Sequence, residues 1–229
     1  VLRWPITSRS TLQDGLYRYD AIARLQDAGL PPDERPSAGI GQYIQLGPLG
    51  TALLPTELPR VLLVDEIDKS DVDLPNDLLT ILEEGAFTLP ELQRIAGQFE
   101  DVPVGVDRSD ATAPVRGGAV RCRAFPIVIL TSNGERDFPP AFLRRCLRLD
   151  IPEPAPEQLA TIVAAHLGAD AAVGAADLIA DFLSRRSTGE MATDQLLNAI
   201  FATMHSDQTS ATGRTELADL ILRHLNTPG

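Results

Sequence analysis

Hydrophobic positions recur at two different spacings along the chain, and the change of spacing divides it. Residues 2–7 are a short apolar run that predicts a strand, followed by Ser8, Ser10 and Thr11, each able to cap the next helix. That helix is expected to carry Leu12, Leu16, Tyr19 and Ile22 on one face. Residues 28–41 are rich in Pro and Gly and read as a loop; residues 42–46 read as a short strand that Gly47-Pro48 breaks. Val61-Leu62-Leu63-Val64 is a continuous apolar run between Pro59-Arg60 and acidic residues, the pattern of a strand buried on both faces in a parallel sheet. A helix over 74–84 follows, with Leu78, Leu79 and Leu82 inward. Residues 97–118 mix Asp, Gly, Pro and Ser and predict a surface hairpin or loop. Ile127-Val128-Ile129-Leu130 predicts a second buried strand, and residues 146–151 alternate as a third that closes at Pro152.

Beyond Pro152-Glu153-Pro154 strands cease and four helical patterns follow. Their apolar faces are Leu159, Ile162, Val163 and Leu167; Leu178, Ile179, Phe182 and Leu183; Leu196, Leu197, Ile200 and Phe201; and Leu217, Leu220, Ile221 and Leu225. Strands alternating with helices and then helices alone predict an α/β domain over 1–152 and a small all-helical one over 153–229.

Composition narrows the class. The 229 residues are 44% hydrophobic and 23% charged, enough for a real core, and no apolar run is long enough to span a bilayer. The first residues lack the layout of a signal peptide, so a cytoplasmic location is expected. A net charge of −12 argues against a broad electrostatic grip on nucleic acid, which depends on Lys and Arg neutralising phosphates. Cys122 and Cys146 have neither metal-like nor redox-like spacing and are expected as reduced fillers of apolar sites. Of the 20 basic residues 19 are arginine, and the single lysine is Lys69.

Candidate chemistry sits where the two apolar runs end. Val61 to Val64 leads into Asp65-Glu66, two carboxylates at the carboxyl end of a strand, the edge where open α/β sheets bind ligands. A nucleotide triphosphatase needs both, one to hold hydrated Mg²⁺ and one to orient and deprotonate the attacking water. An acidic pair that merely begins the next helix is the plainer alternative. The second run leads into Asn133, an amide able to hold a water or a phosphate oxygen, or simply a turn former. Arg144-Arg145 follows; an arginine fork can stabilise charge on a transferred phosphoryl group, and a solvated pair at a helix end is the alternative. His166, His205 and His224 share no metal-ligand spacing.

Taken together, Tyr43-Ile-Gln-Leu-Gly-Pro-Leu, Val61-Leu-Leu-Val-Asp-Glu-Ile-Asp-Lys-Ser, Asn76-Asp-Leu-Leu-Thr-Ile-Leu-Glu-Glu-Gly and Ile129-Leu-Thr-Ser-Asn resemble, in order and spacing, the MoxR branch of the AAA+ ATPases over nearly the whole chain. The resemblance implies a P-loop sandwich with a central parallel sheet, followed by a helical lid. It implies that Asp65 and Glu66 are the Walker B pair, with Asp65 holding Mg²⁺ through water and Glu66 acting as base. Asn133 becomes sensor 1, and Arg145 falls where the family carries its arginine finger, with Arg144 in place of the usual acidic residue before it. ATP and Mg²⁺ are the implied ligands. A ring oligomer, expected as a hexamer, is the implied assembly, and remodelling or activation of a partner protein the implied role, with a von Willebrand factor A domain protein as a candidate partner.

The sequence departs from the family at two further points. The stretch that should carry a sensor-2 arginine is Gly189-Glu190-Met191-Ala192-Thr193, with Arg185 and Arg186 a turn or two earlier. No Gly-rich loop ending in Gly-Lys-Ser/Thr occurs, and Lys69 lies after the acidic pair, where it cannot serve as the P-loop lysine. The expectation is that the P-loop strand and helix belong to a preceding segment of a longer protein, leaving a gap between the last strand and the Asn133 strand. A non-catalytic scaffold of AAA+ shape is the competing reading; a nucleic-acid remodeller is disfavoured by charge.

Overall fold

The computed structural model describes residues 1–31, 33–34, 39–152, 154–186 and 193–204. It is an α/β structure in two compact units, Val1–Arg148 and Leu149–Gly229. The elements of the first unit are β1 (Leu2–Pro5), α1 (Leu12–Leu16), β2 (Tyr17–Tyr19), α2 (Ala21–Ala28), β3 (Ile44–Leu46), α3 (Pro48–Ala52), β4 (Val61–Asp65), α4 (Leu74–Glu84), β5 (Ala86–Thr88), α5 (Pro90–Gln93), β6 (Asp101–Gly105), β7 (Thr112–Arg116), β8 (Ala119–Arg121), β9 (Ile127–Leu130) and α6 (Pro140–Leu143).

A parallel sheet of order β1-β4-β9 carries the apolar runs read from the sequence. Val64 pairs with Trp4 on one side and Leu130 on the other, so all three strands reach the same edge together. Leu62 and Val64 are fully buried and join Trp4, Ile6, Leu16 and Leu49 in one core; each such aliphatic side chain contributes about 1.5–3 kcal/mol when removed from water. Burial on both faces holds only in part. Leu63 is half-buried, and the outer strand β9 leaves Ile127 and Ile129 about half exposed, at 52% and 48%. Among the described residues β9 is the outermost strand of this sheet, which its apolar composition alone does not disclose.

A second, six-stranded mixed sheet has the order β2-β3-β6-β7-β8-β5. It corrects two expectations. The helix foreseen across Leu12, Leu16, Tyr19 and Ile22 stops at Leu16, because Tyr17 and Tyr19 turn extended and pair antiparallel with Leu46 and Ile44. Tyr17 packs against Phe87 and donates its hydroxyl proton to Glu91 at 2.9 Å, so the two tyrosines serve a strand and not a helix face. The long-range ladder outweighs the local helical period. The region 97–118 holds the β6–β7 hairpin, one of the two forms expected of it. The strand expected over 42–46 begins at Ile44, after a 3-10 turn at Ile40–Tyr43.

Local capping matches the sequence more closely. Thr11 closes a capping box with Asp14 at the start of α1, and α4 runs over the expected residues before Gly85 ends it in the left-handed conformation at φ 59°. Gly15 is required for a different reason, since a Cβ there would lie 2.4 Å from the Trp4 ring. The third strand expected over 146–151 does not form. Its alternation is genuine, but no described strand pairs with it, and Leu147, Leu149 and Ile151 are largely exposed. Without a neighbouring ladder an alternating segment has nothing to hold it extended.

The second unit contains α7 (Pro156–Leu167), α8 (Ala169–Gly174), α9 (Ala176–Arg186) and α10 (Thr193–Met204). Leu159, Val163, Ile179, Phe182, Leu196 and Ile200 form its core, as their spacing foresees. Phe201, expected inward, is about half exposed, and α8 is a helix the spacing did not foresee. The helical pattern over 217–225, the stretch 189–192, His205 and His224 lie outside the described residues.

Candidate functional site

The parallel pairing of β4 and β9 brings the ends of both apolar runs to one edge, and the candidate residues cluster there. Asp65 closes β4, and Glu66 follows in the left-handed conformation, φ 58° and ψ 50°. Few residues other than glycine adopt it, and holding a glutamate there costs of order 1 kcal/mol, which the surroundings must offset. They do so through Thr131, the residue after β9. Its hydroxyl accepts from the Glu66 N–H at 2.9 Å and donates to Asp65 Oδ1 at 2.6 Å, while its carbonyl accepts from the Ile67 N–H at 2.9 Å. The turn therefore aims the Glu66 carboxylate off the strand end instead of along it.

Asn133 arrives from β9, and its side-chain amide lies 3.5 Å from Glu66 Oε1. What fixes it is Asp68, a buried carboxylate with 3% exposure. Asp68 Oδ2 accepts from the Asn133 N–H at 3.0 Å and from the Glu135 N–H at 3.2 Å. Burial pushes the Asp68 carboxyl up, but the backbone donors of Glu135, Asp68 itself and Asn133, with the Ser132 hydroxyl, outweigh it and hold the group below the usual carboxylate range.

Lys69 completes the cluster. Its ammonium donates to Glu66 Oε1 at 2.8 Å, both side chains being 41% exposed. That hydrogen bond, aided by the charges of Glu66, Glu135 and Asp68, holds Lys69 above the ordinary lysine range, although partial burial acts in the opposite direction. Arg3 approaches Asp65 Oδ2 at 3.9 Å from β1. The edge opens on a cleft of about 530 Å³ whose walls include Thr7 and Ser8 beyond β1 and Glu66, Lys69 and Arg136.

Of the residues singled out by sequence, Asp65, Glu66 and Asn133 come together. Arg144 and Arg145 follow α6 at the surface; Arg145 pairs with Glu83 on α4 and donates to the Ala141 carbonyl at 3.0 Å, while Arg144 is exposed and forms no ion pair among the described residues. Neither arginine pairs with Asp65 or Glu66. Thr131, Asp68 and Lys69 are the members that sequence reasoning missed. The signal for Asp68 was present as a third acidic residue one turn after Asp65, but its partners depend on the β4–β9 register.

No protein-family model matches the chain, and neither a curated protein nor a solved structure matches it.

Thr131 offers a mild test of that geometry. Thr131→Val keeps the side-chain shape and removes the hydroxyl that bridges Asp65 and Glu66. We expect a loss of about 1 kcal/mol in unfolding free energy, read from the urea midpoint followed by the fluorescence of the single tryptophan, Trp4. A midpoint equal to wild type would show that the bridge does not hold the turn.

Proposed function

We propose that this chain is part of an AAA+ ATPase of the MoxR type, which couples ATP hydrolysis in a ring oligomer, expected as a hexamer, to remodelling or activation of a partner protein. The observation that supports this reading most directly is the convergence of Glu66 and Asn133, 3.5 Å apart, at the carboxyl edge of parallel strands. An acidic pair used only to begin a helix needs neither that amide nor a glutamate in the left-handed conformation.

The roles follow from the atoms. Glu66 projects a carboxylate from the strand end, where a water beside it can give up its proton as it attacks a phosphoryl group. Asn133 donates from its amide and orients that water without adding charge. Asp65 offers a hard oxygen suited to Mg²⁺ bound through water, and the cation would neutralise phosphate charge. The donor set thus fits the cation. A Gly-rich cradle for the phosphates is not in this sequence, and on this reading it comes from another segment of the same protein. Arg144 or Arg145 would act on a neighbouring protomer's nucleotide, and a von Willebrand factor A domain protein remains the candidate partner.

The test is phosphate release from ATP, with and without Mg²⁺, by the protein expressed from its full reading frame beside the 229-residue chain. Mg²⁺-dependent turnover by the longer form and none by the shorter supports the reading. A full reading frame that neither binds nor hydrolyses ATP replaces it with a non-catalytic scaffold.

A further inference from the structure

The ends of α4 and α6 each set a charged side chain at the surface from a turn anchored in the core. Leu78 of α4 and Phe142 of α6 are buried in one cluster, and Leu82 and Leu143 pack against it. Glu83 follows Leu82 directly. Arg145 lies two residues beyond Leu143, where its own N–H donates to the Phe142 carbonyl at 3.0 Å and the Cys146 thiol donates to the same carbonyl at 3.4 Å. The backbone beneath both charges is therefore held.

Their side chains meet. Arg145 Nε pairs with Glu83 Oε1, and Arg145 Nη1 donates to the Ala141 carbonyl, one turn back, at 3.0 Å. A guanidinium carries five N–H donors on one rigid plane, more than these two contacts can occupy. The plane is thus oriented while part of its fork stays available. Arg145 is 50% exposed and Glu83 52%, so a ligand can reach the pair. An ion pair this exposed adds little to stability. What it does supply is orientation, because a long side chain that is already restrained loses less rotamer freedom when it binds. Arg144, the neighbour in sequence, is exposed and has no ion pair among the described residues to aim it.

We propose that Glu83 is a positioning residue for Arg145, holding its guanidinium in one orientation for the phosphate groups of a nucleotide bound by a neighbouring protomer. Glu83 has this role only if the ATPase reading above holds; that reading does not include it, and its contact selects Arg145 over Arg144. Glu83 itself touches no nucleotide and acts through the arginine.

The test is ATP hydrolysis by the protein from its full reading frame. Glu83→Ala is expected to lower kcat about two- to five-fold, the size of an exposed ion pair, with KM unchanged. The deciding measurement repeats that substitution in an Arg145→Ala background, where it should change nothing further because the side chain it positions is gone. Further slowing there, or no slowing in the wild-type background, overturns the positioning role. Arg144→Ala should slow turnover less than Arg145→Ala, and the reverse order overturns the choice of Arg145. If wild type hydrolyses ATP and the two substitutions act independently, the role of Glu83 falls alone. If wild type hydrolyses no ATP, the ATPase reading falls and the role of Glu83 falls with it.

Discussion

Glu66→Gln, made in the protein expressed from its full reading frame, is expected to lower ATP turnover by about 100- to 10,000-fold, the range over which a positioned base contributes. Glutamine keeps the length of the side chain, and its amide oxygen can still accept from the Asn133 amide and from Lys69. What it loses is the capacity to take a proton. Because Glu66 is 41% exposed and outside the core, the fold has little reason to respond. Binding of ATP should therefore survive while release of phosphate does not, and the two are separated by measuring nucleotide affinity alongside turnover. A variant that turns over at the wild-type rate would remove Glu66 from the chemistry. A variant that loses both binding and Trp4 fluorescence would point to folding instead.

The second large effect belongs to Asp68. Replacing it by alanine leaves the N–H groups of Asn133 and Glu135 without the buried carboxylate that accepts from them. Charge-assisted hydrogen bonds of this kind contribute about 1.5–3 kcal/mol each and do not add fully, so a loss of about 2–4 kcal/mol is expected for the first unit. Trp4 is buried in that unit, so its fluorescence in urea reports the loss where it occurs. The pH dependence follows with a definite sign. The Asp68 carboxyl is held below the usual range in the folded chain, so the unfolded chain binds its proton first as pH falls. Its contribution is complete above the ordinary aspartate value of about 3.9 and is lost as pH drops through the lower folded value. Many other carboxylates titrate there, so the quantity to read is the difference between wild type and Asp68→Asn. That difference should shrink as the solution is acidified below pH of about 4; a constant difference would deny Asp68 its role.

How much of this was legible beforehand depends on whether the deciding contact is local. β4, α4 and β9 lie where the apolar runs and the period of Leu74, Leu78 and Leu82 put them, because burial and capping act within one element. Asp65, Glu66 and Asn133 were readable for the same reason, as polar residues that end apolar runs. The break at Tyr17 was not, since it comes from pairing with Leu46, far along the chain. The strand expected over 146–151 failed in the opposite way, its alternation being correct and its partner missing. Thr131 and Asp68 acquire their partners only when β4 and β9 lie side by side in one register, whereas Lys69 meets Glu66 locally, three residues along the same segment.

The outer edge of β9 has a practical consequence for anyone handling this chain. The opposite edge of the sheet is blunted by Arg3 and by Pro5, which has no N–H to offer. β9 reads Ile-Val-Ile-Leu, with neither charge nor proline inside it, and among the described residues no strand pairs with its outer edge, which lies beside half-exposed isoleucines. Such an edge accepts an extended segment from any neighbour, and the net charge of −12 is a long-range repulsion that salt removes. Turbidity in concentrated stocks of the 229-residue chain will therefore rise with ionic strength, and a single lysine or glutamate at Ile129 is the remedy.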